Sequence, residues 1–319
     1  MFLKHFYLKI NESSPKIKVV GVGGSGVNAV SRMFKEKISN IELIAVNTDA
    51  QSLKACPLEK KFLIGQKITK GLGTGMDFKL GEKAARENIA DLKQAFLGAH
   101  LLFLTCGLGG GTGSGAISVL GEIAKELGVL TVAVITLPFS FEGVYRKTIA
   151  LTALKNISLN VDCYLTIKND RLLELVGQNA TLESSFWVCD GILREAVKAI
   201  SDLISLPGII NVDFADLGTI LRNSGQGFLG IGKAKGEKRA LIAANMALQS
   251  PLLDFSIKDA EGILLNIAGA EDLSLTEVNI AATTIKKQAK DGAKIVFGVS
   301  EDVSLDKGEM KVTLIATAK

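Results

Sequence analysis

Two stretches of this 319-residue sequence are suited to lie against an anion. Gly21-Val22-Gly23-Gly24-Ser25-Gly26 follows an apolar run and opens a helical pattern. Glycine lets the backbone turn tightly there and aim its N–H groups at a phosphate, where the helix dipole adds positive potential. The same residues satisfy the G-x-G-x-x-G dinucleotide fingerprint, and Asp49 follows at about the distance of a ribose-binding acid. Taken alone, this loop leaves an NAD-dependent oxidoreductase open. The second stretch is Gly107-Leu108-Gly109-Gly110-Gly111-Thr112-Gly113-Ser114-Gly115. Each glycine costs roughly 0.5–1 kcal/mol of ordering relative to alanine, so a loop this rich in glycine is kept for close backbone approach. A dinucleotide enzyme needs one such loop; two imply a nucleoside triphosphate gripped from both sides. No G-x-x-x-x-G-K-S/T pattern occurs, which excludes a P-loop enzyme. A third stretch, Asn211, Asp213 and Asp216, carries two carboxylates that could take part in hydrolysis, and its Asn-x-Asp could cap a helix starting near Phe214.

The elements that must hold these loops alternate in type. Apolar runs at 17–21, 41–46, 100–106, 129–136 and 161–167 predict strands. Helical patterns at 25–35, 79–96, 112–127 and 145–157 separate most of them, with 79–96 reading as one long amphipathic helix. That rhythm predicts right-handed crossovers and a largely parallel sheet covered on both faces. Residues 184–206 carry apolar side chains at three- and four-residue spacing and predict one long helix, ended by Pro207-Gly208. Beyond residue 225, strands at 227–232, 262–268, 294–298 and 310–316 predict a second, smaller α/β domain. The expected organisation is an N-terminal arm (1–16), a nucleotide-binding domain (17–183), a central connecting helix (184–206), a loop and following helix (207–224), and a C-terminal α/β domain (225–319).

Composition narrows the chemistry. With 47% hydrophobic and 22% charged residues the chain can bury a sizeable core. A net charge of +4 is too mild to argue for nucleic acid as a partner. No run of about 20 apolar residues is present, so no direct membrane insertion is expected. The four cysteines stand far apart without a C-x-x-C pair, which predicts buried reduced thiols rather than a zinc site. The only histidines are His5 and His100, and His100 opens an apolar run where a strand-edge role is expected. Hydrolytic chemistry must therefore come from carboxylates, amides and backbone.

Residues 109–115 resemble the signature loop of the tubulin/FtsZ superfamily. The first loop with Asn28, then Asn47-Thr48-Asp49-Ala50-Gln51 and Phe141-Glu142-Gly143, resemble bacterial FtsZ rather than tubulin. Further matches are Asn169-Asp170-Arg171-Leu172-Leu173, residues 211–216 and Ser250-Pro251-Leu252-Leu253, so the resemblance runs from about Ile17 to Ala318. It implies a Rossmann-like parallel-sheet GTPase domain joined by a long central helix to a smaller α/β domain. It also implies a GTPase that polymerises head to tail and builds the cytoplasmic division ring beneath the membrane. A paralogue that assembles with little hydrolysis is the other reading.

By that resemblance, Gly23, Gly24, Ser25, Gly26, Val27 and Asn28, with Gly109, Gly110, Gly111, Thr112 and Gly113, hold the phosphates of GTP or GDP. The resemblance also implies that Gly71 and Gly73 belong to a loop that senses the terminal phosphate. Glu142 and Arg146, four apart, would meet on one helical face and reach ribose and phosphates. Asn169 and Asp190 would read guanine, with Phe186 stacked on the ring. Mg2+ would bridge the phosphates, held by nucleotide and water, with Asp49 nearby and no firm protein ligand. Asn211 lies 21 residues beyond Asp190, or roughly 30 Å along a helix, so the acids would act on a neighbour's nucleotide. Expected partners are further copies of the chain and division-ring proteins. The sequence departs from the family at Lys168 for proline, Cys189 for asparagine and Met76-Asp77-Phe78-Lys79, and the docking tail usual after the last strand is absent from it.

Overall fold

The computed structural model describes residues 15–36, 38, 40–172, 181–205, 210, 212–252, 256–302 and 304–318. Most of the N-terminal arm, Pro207-Gly208 and Asn211 lie outside the described residues, as does the side chain of Phe186. The first half runs β1 (Ile17–Val22), α1 (Gly23–Lys35), β2 (Ile41–Asn47), α2 (Ala50–Ala55), β3 (Lys61–Leu63), α3 (Gln66–Thr69), α4 (Phe78–Glu87), α5 (Ile89–Phe96), β4 (Leu101–Gly107), α6 (Gly111–Glu126), β5 (Leu130–Leu137), α7 (Val144–Ser158) and β6 (Cys163–Lys168). The second runs α8 (Asn169–Leu172), α9 (Leu182–Ser205), α10 (Phe214–Leu221), β7 (Gly225–Lys235), α11 (Arg239–Leu248), β8 (Gly262–Gly269), α12 (Leu275–Lys286), β9 (Lys294–Glu301) and β10 (Glu309–Thr317).

Among the described residues ten strands join one mixed sheet in the order β3-β2-β1-β4-β5-β6-β7-β10-β8-β9. From β3 to β7 every pairing is parallel; β10 runs antiparallel to β7 and β8, and β9 parallel to β8. The C-terminal strands thus continue the N-terminal parallel sheet. The seam is narrow, only Cys163–Leu165 against Gly225–Gly227. Strand β1 shows why the sheet needs layers on both sides. Its six residues are all buried: Ile17 and Val19 join a core with α1 and α9, while Val20 and Val22 join another with α4 to α7. A third core sits under α11 and α12.

Residues 79–96 form two helices, not the single one their apolar pattern predicts. Asn88 ends the first: its Oδ1 accepts from the Gly65 N–H at 2.9 Å and its Nδ2 donates to Asp91 at 3.0 Å. Helix α4 turns Gly81, Ala84 and Ala85 inward. A Cβ on Gly81 would stand 2.3 Å from the Gly111 carbonyl, so α4 braces the second glycine loop through direct backbone packing. Helix α9 crosses behind the sheet, about 36 Å of rod for its 24 residues. Lys198 and Lys311 tie it to the C-terminal strands by sharing Asp302, at 2.9 and 2.8 Å. At the outer margin, β9 is engaged at one position among the described residues. Ile210 bridges Val299 there, with the Val299 N–H donating to the Ile210 carbonyl at 3.0 Å. The four cysteines are buried and unpaired. Among the described residues no helix is long and apolar enough to cross a membrane.

Candidate functional site

The two glycine loops meet at the carboxyl ends of the central parallel strands. Strand β1 turns into α1 at Gly23, whose φ of +71° places it in the left-handed region. A Cβ there would come 2.8 Å from the Gly113 nitrogen, so the loops touch through bare backbone. Ser25 Oγ fixes their spacing by accepting from the Gly107 N–H at 2.7 Å. Neither α1 nor α6 has a side-chain cap at its N-terminus. Their first-turn N–H groups therefore face the cleft between them, and both dipoles point their positive ends into it. The cleft holds about 280 Å³ and is lined by Gly23, Gly24, Ser25, Gly110, Gly111, Thr112 and Gly113.

Other predicted phosphate residues stand behind that surface. Gly26 lets helix pack on strand, since its Cβ would meet the Thr105 carbonyl at 2.4 Å. Val27 is core, Asn28 is exposed, and neither lines the cleft. Gly109, at φ +101°, shapes the turn against Arg146. Gly71 and Gly73, also left-handed, do not line the cleft; their loop is pinned by Ala50 N–H to the Gly71 carbonyl at 3.0 Å and Gly73 N–H to the Thr48 carbonyl at 3.2 Å. Thr74, which follows them, does line it. The Thr112 hydroxyl is engaged by protein partners: Thr48 Oγ1 at 2.6 Å and Thr74 Oγ1 at 3.3 Å. Three buried threonines thus knot the second glycine loop to the Gly71–Gly73 loop. Thr48 sits inside the matched motif at 47–51 and Thr74 abuts the glycine pair, so proximity to those motifs was the available signal. Asp49 is spent on a local task, its Oδ1 capping α2 through the Gln51 and Ser52 N–H groups at 2.8 and 3.3 Å.

At the other end of the cleft, Glu142 pairs with Arg146 at 2.8 Å. They do not share a helical face as their spacing predicts. Glu142 ends a 3-10 turn at Ser140–Glu142, Gly143 breaks the chain at φ +94°, and α7 begins only at Val144. The second carboxylate oxygen of Glu142 accepts from the Phe139 N–H at 2.9 Å. Asn169 and Asp190 line the far wall with Cys189. Asn169 is 5% exposed, and its Oδ1 is buried without a hydrogen-bond partner. An orphaned acceptor costs about 1–3 kcal/mol, so a ligand offering an N–H there would be favoured. Asp190 faces Arg32 of α1 at 2.5 Å. Burial pushes its carboxyl up to about 6, with the Arg32 charge pulling the other way. Sequence reasoning missed Arg32, because nothing in a lone arginine on an amphipathic helix names a partner on a distant one. The donor set fits a guanine nucleotide: two helix N-termini for phosphates, an orphan acceptor and a carboxylate for a base edge.

The acids lie elsewhere. Asp213 occupies the N-cap position of α10, yet its carboxylate makes no capping hydrogen bond, and both it and Asp216 are exposed. Phe214, between them, meets the His100 ring edge-on with centroids 6.2 Å apart. His100 immediately precedes β4 and, as a strand-edge residue, accepts the Lys16 N–H at 2.9 Å. The second glycine loop leaves the opposite end of that same strand. Seven residues of β4 therefore separate α10 from the glycine loops, about 23 Å at 3.3 Å per residue. Among the described residues no group of three or more His, Cys, Asp or Glu gathers to hold a metal ion.

Comparison with known proteins agrees with this geometry. The family model described as the tubulin/FtsZ family GTPase domain matches residues 16–177, and that of the FtsZ family C-terminal domain matches residues 225–318. An empty FtsZ dimer of M. jannaschii superposes with a TM-score of 0.92 at 42% identity, covering 96% of this chain and 89% of that one. A point mutant of FtsZ from M. jannaschii does so at 0.92 and 43%, covering 95% and 91%. CetZ2 from Haloferax volcanii, in a GTPγS-bound protofilament, gives 0.80 at 22% identity, covering 94% and 92%, a likeness of fold alone. By its fold, its paired glycine loops and these matches, the chain belongs to the tubulin/FtsZ family.

Proposed function

We propose that this protein binds GTP between its two glycine loops and hydrolyses it where a second copy stacks its α10 face over the cleft, so that copies assemble head to tail. The observation that carries the reading is the separation of the two half-sites. Asp213 and Asp216 stand at one end of β4 and the phosphate loops at the other, about 23 Å away. Carboxylates that orient a water must approach within hydrogen-bond reach, so these acids serve only a neighbour's nucleotide. Such a contact joins two different surfaces and propagates into filaments. Exposed Phe141, Val144 and Tyr145 beside the cleft mouth offer an apolar rim for that neighbour. The dimer and the protofilament among the structural relatives are in keeping with it.

In this reading the backbone N–H groups of α1 and α6 hold the phosphates, Asn169 and Asp190 accept from the base, and the Glu142–Arg146 pair shapes the wall near ribose. When bound, the nucleotide would supply the phosphoryl group to be transferred, and Mg2+ would neutralise charge on its phosphates. Asp213 and Asp216 of the stacked copy orient the attacking water, while its Asn211 contacts the phosphate end. The filaments serve a cytoplasmic division ring together with other ring proteins. The test is GTP turnover against protein concentration. A composite site requires a threshold and then a steep rise; a rate per molecule that does not change on dilution would refute it.

A further inference from the structure

Helices α1 and α9 pack against each other beside the base end of the cleft, and an ion pair joins them there. Arg32 Nη1 lies 2.5 Å from Asp190 Oδ2, and the aspartate side chain is only 11% exposed. Asp190 thus lines the nucleotide cleft with one side and meets a guanidinium from the phosphate-binding helix with the other. We propose that Arg32 is a positioning residue for base specificity: it keeps the Asp190 carboxylate ionised and oriented, so that the cleft accepts guanine and rejects adenine. This rests on the reading of Asp190 as the base-binding carboxylate.

The chemistry turns on what a carboxyl group offers. Ionised, it is acceptor only, and matches the two N–H groups on the guanine edge. Protonated, it presents one O–H donor beside one acceptor, which opposes guanine and matches the ring nitrogen and amino group of adenine. Protonation at this one position therefore inverts the preference. Burial alone drives Asp190 that way, since desolvation penalises the charged form and raises it to about 6 even with Arg32 in place. The other groups around it give no substitute. Cys189, next to it on α9, is a buried thiol pushed up to about 12. Glu142, across the cleft, is of the wrong sign and already paired with Arg146. Arg194, one turn on, is engaged by Glu36 and Glu195. Strands β5 and β8 bring no titratable side chain, Lys294 and Glu301 stand exposed at the two ends of β9, and Asp170 and Arg171 of α8 are exposed.

The experiment measures equilibrium binding of fluorescent GTP and ATP analogues to the full chain between pH 5.5 and 8.5. The unaltered protein is compared with Arg32→Met, Arg32→Gln, Arg32→Lys and Asp190→Asn. Each comparison is made at equal pH, which removes the nucleotide's own titration. An adjacent opposite charge moves a carboxyl by about 1–3 pH units, so removing it should cost GTP affinity about tenfold at pH 7. That loss should be largely recovered at pH 8.5, and the GTP-to-ATP preference should fall with it. Arg32→Lys, which keeps the charge, should follow the unaltered profile. A loss in Arg32→Met and Arg32→Gln that is equal at pH 7 and 8.5, or no loss at all, would overturn the proposal, since a merely structural role has no pH signature. Asp190→Asn separates the two ideas. If it leaves GTP affinity and the GTP-to-ATP ratio untouched, the base reading itself fails; if it abolishes the preference while the charge-free Arg32 variants keep the unaltered pH profile, only the role of Arg32 fails.

Discussion

Mixing two inactive variants tests the composite site most directly. Asp213→Ala removes an acid from the α10 face but leaves the cleft intact; Asp190→Ala damages the cleft but leaves the acids. Within one chain the two faces are about 23 Å apart across β4. At that distance a unit charge in water contributes about 0.2 kcal/mol, and physiological salt with a Debye length of about 8 Å screens most of it. On this reasoning the acids of a chain should have no measurable effect on its own nucleotide. Each variant alone should release almost no phosphate, and Asp213→Ala should still bind GTP near normally. In an equal mixture a productive contact needs the cleft of one variant under the acids of the other. Random stacking provides that at about one contact in four, so the mixture should recover about a quarter of the unaltered rate. The assay is phosphate release at fixed total protein, well above the assembly threshold. A mixture as inactive as its components, or an Asp213→Ala protein active by itself, would refute the reasoning.

Two further substitutions test the scaffold. Gly111→Ala would put a Cβ 2.2 Å from Thr74 Oγ1 and under 3 Å from the Asp77 backbone. Backbone cannot yield as a side-chain tip can, so stability should fall by about 1–3 kcal/mol and GTP affinity by at least tenfold; Gly110→Ala, with nothing within 4 Å of its Cβ, should keep its stability in the same denaturation assay. Arg239 is 4% exposed and joins Glu277 at 2.5 Å to Asp272 at 3.0 Å, so Arg239→Ala should cost about 3 kcal/mol in urea unfolding near neutral pH. Hydrogen bonds from Arg239 are the main reason the Glu277 carboxyl is held down at about 2. A depressed carboxyl stabilises above its unfolded value of about 4.3 and loses that contribution as pH falls through 2, so the gap between the two proteins should narrow from pH 5 to pH 2.

Much of this architecture was legible because the central strands are buried on both faces and read as unbroken apolar runs. The glycine loops were legible for a related reason: only a demand for close backbone approach justifies so much glycine between a strand and a helix. What sequence could not supply were contacts settled between distant segments. Asn88 ends a helix because its amide is claimed by Gly65, and helical periodicity carries no trace of that. Glu142 and Arg146 meet as their spacing implies, but across a glycine break rather than along a helix. The Thr48–Thr112–Thr74 knot and the Arg32–Asp190 pair each join parts of the chain that only the folded sheet makes neighbours. The continuity of the sheet through β6 and β7 was hidden because three residue pairs make the junction.

The margins of the sheet carry a consequence for how copies can combine. A ten-stranded sheet has only two rims at which a foreign strand could zip on. At one rim β3 offers three residues headed by Lys61, and at the other Ile210 already occupies the hydrogen-bonding groups of Val299. One rim is short and the other is engaged at one position among the described residues, which disfavours lateral β-augmentation. Copies of this chain are therefore expected to meet through side-chain surfaces rather than by adding strand to strand.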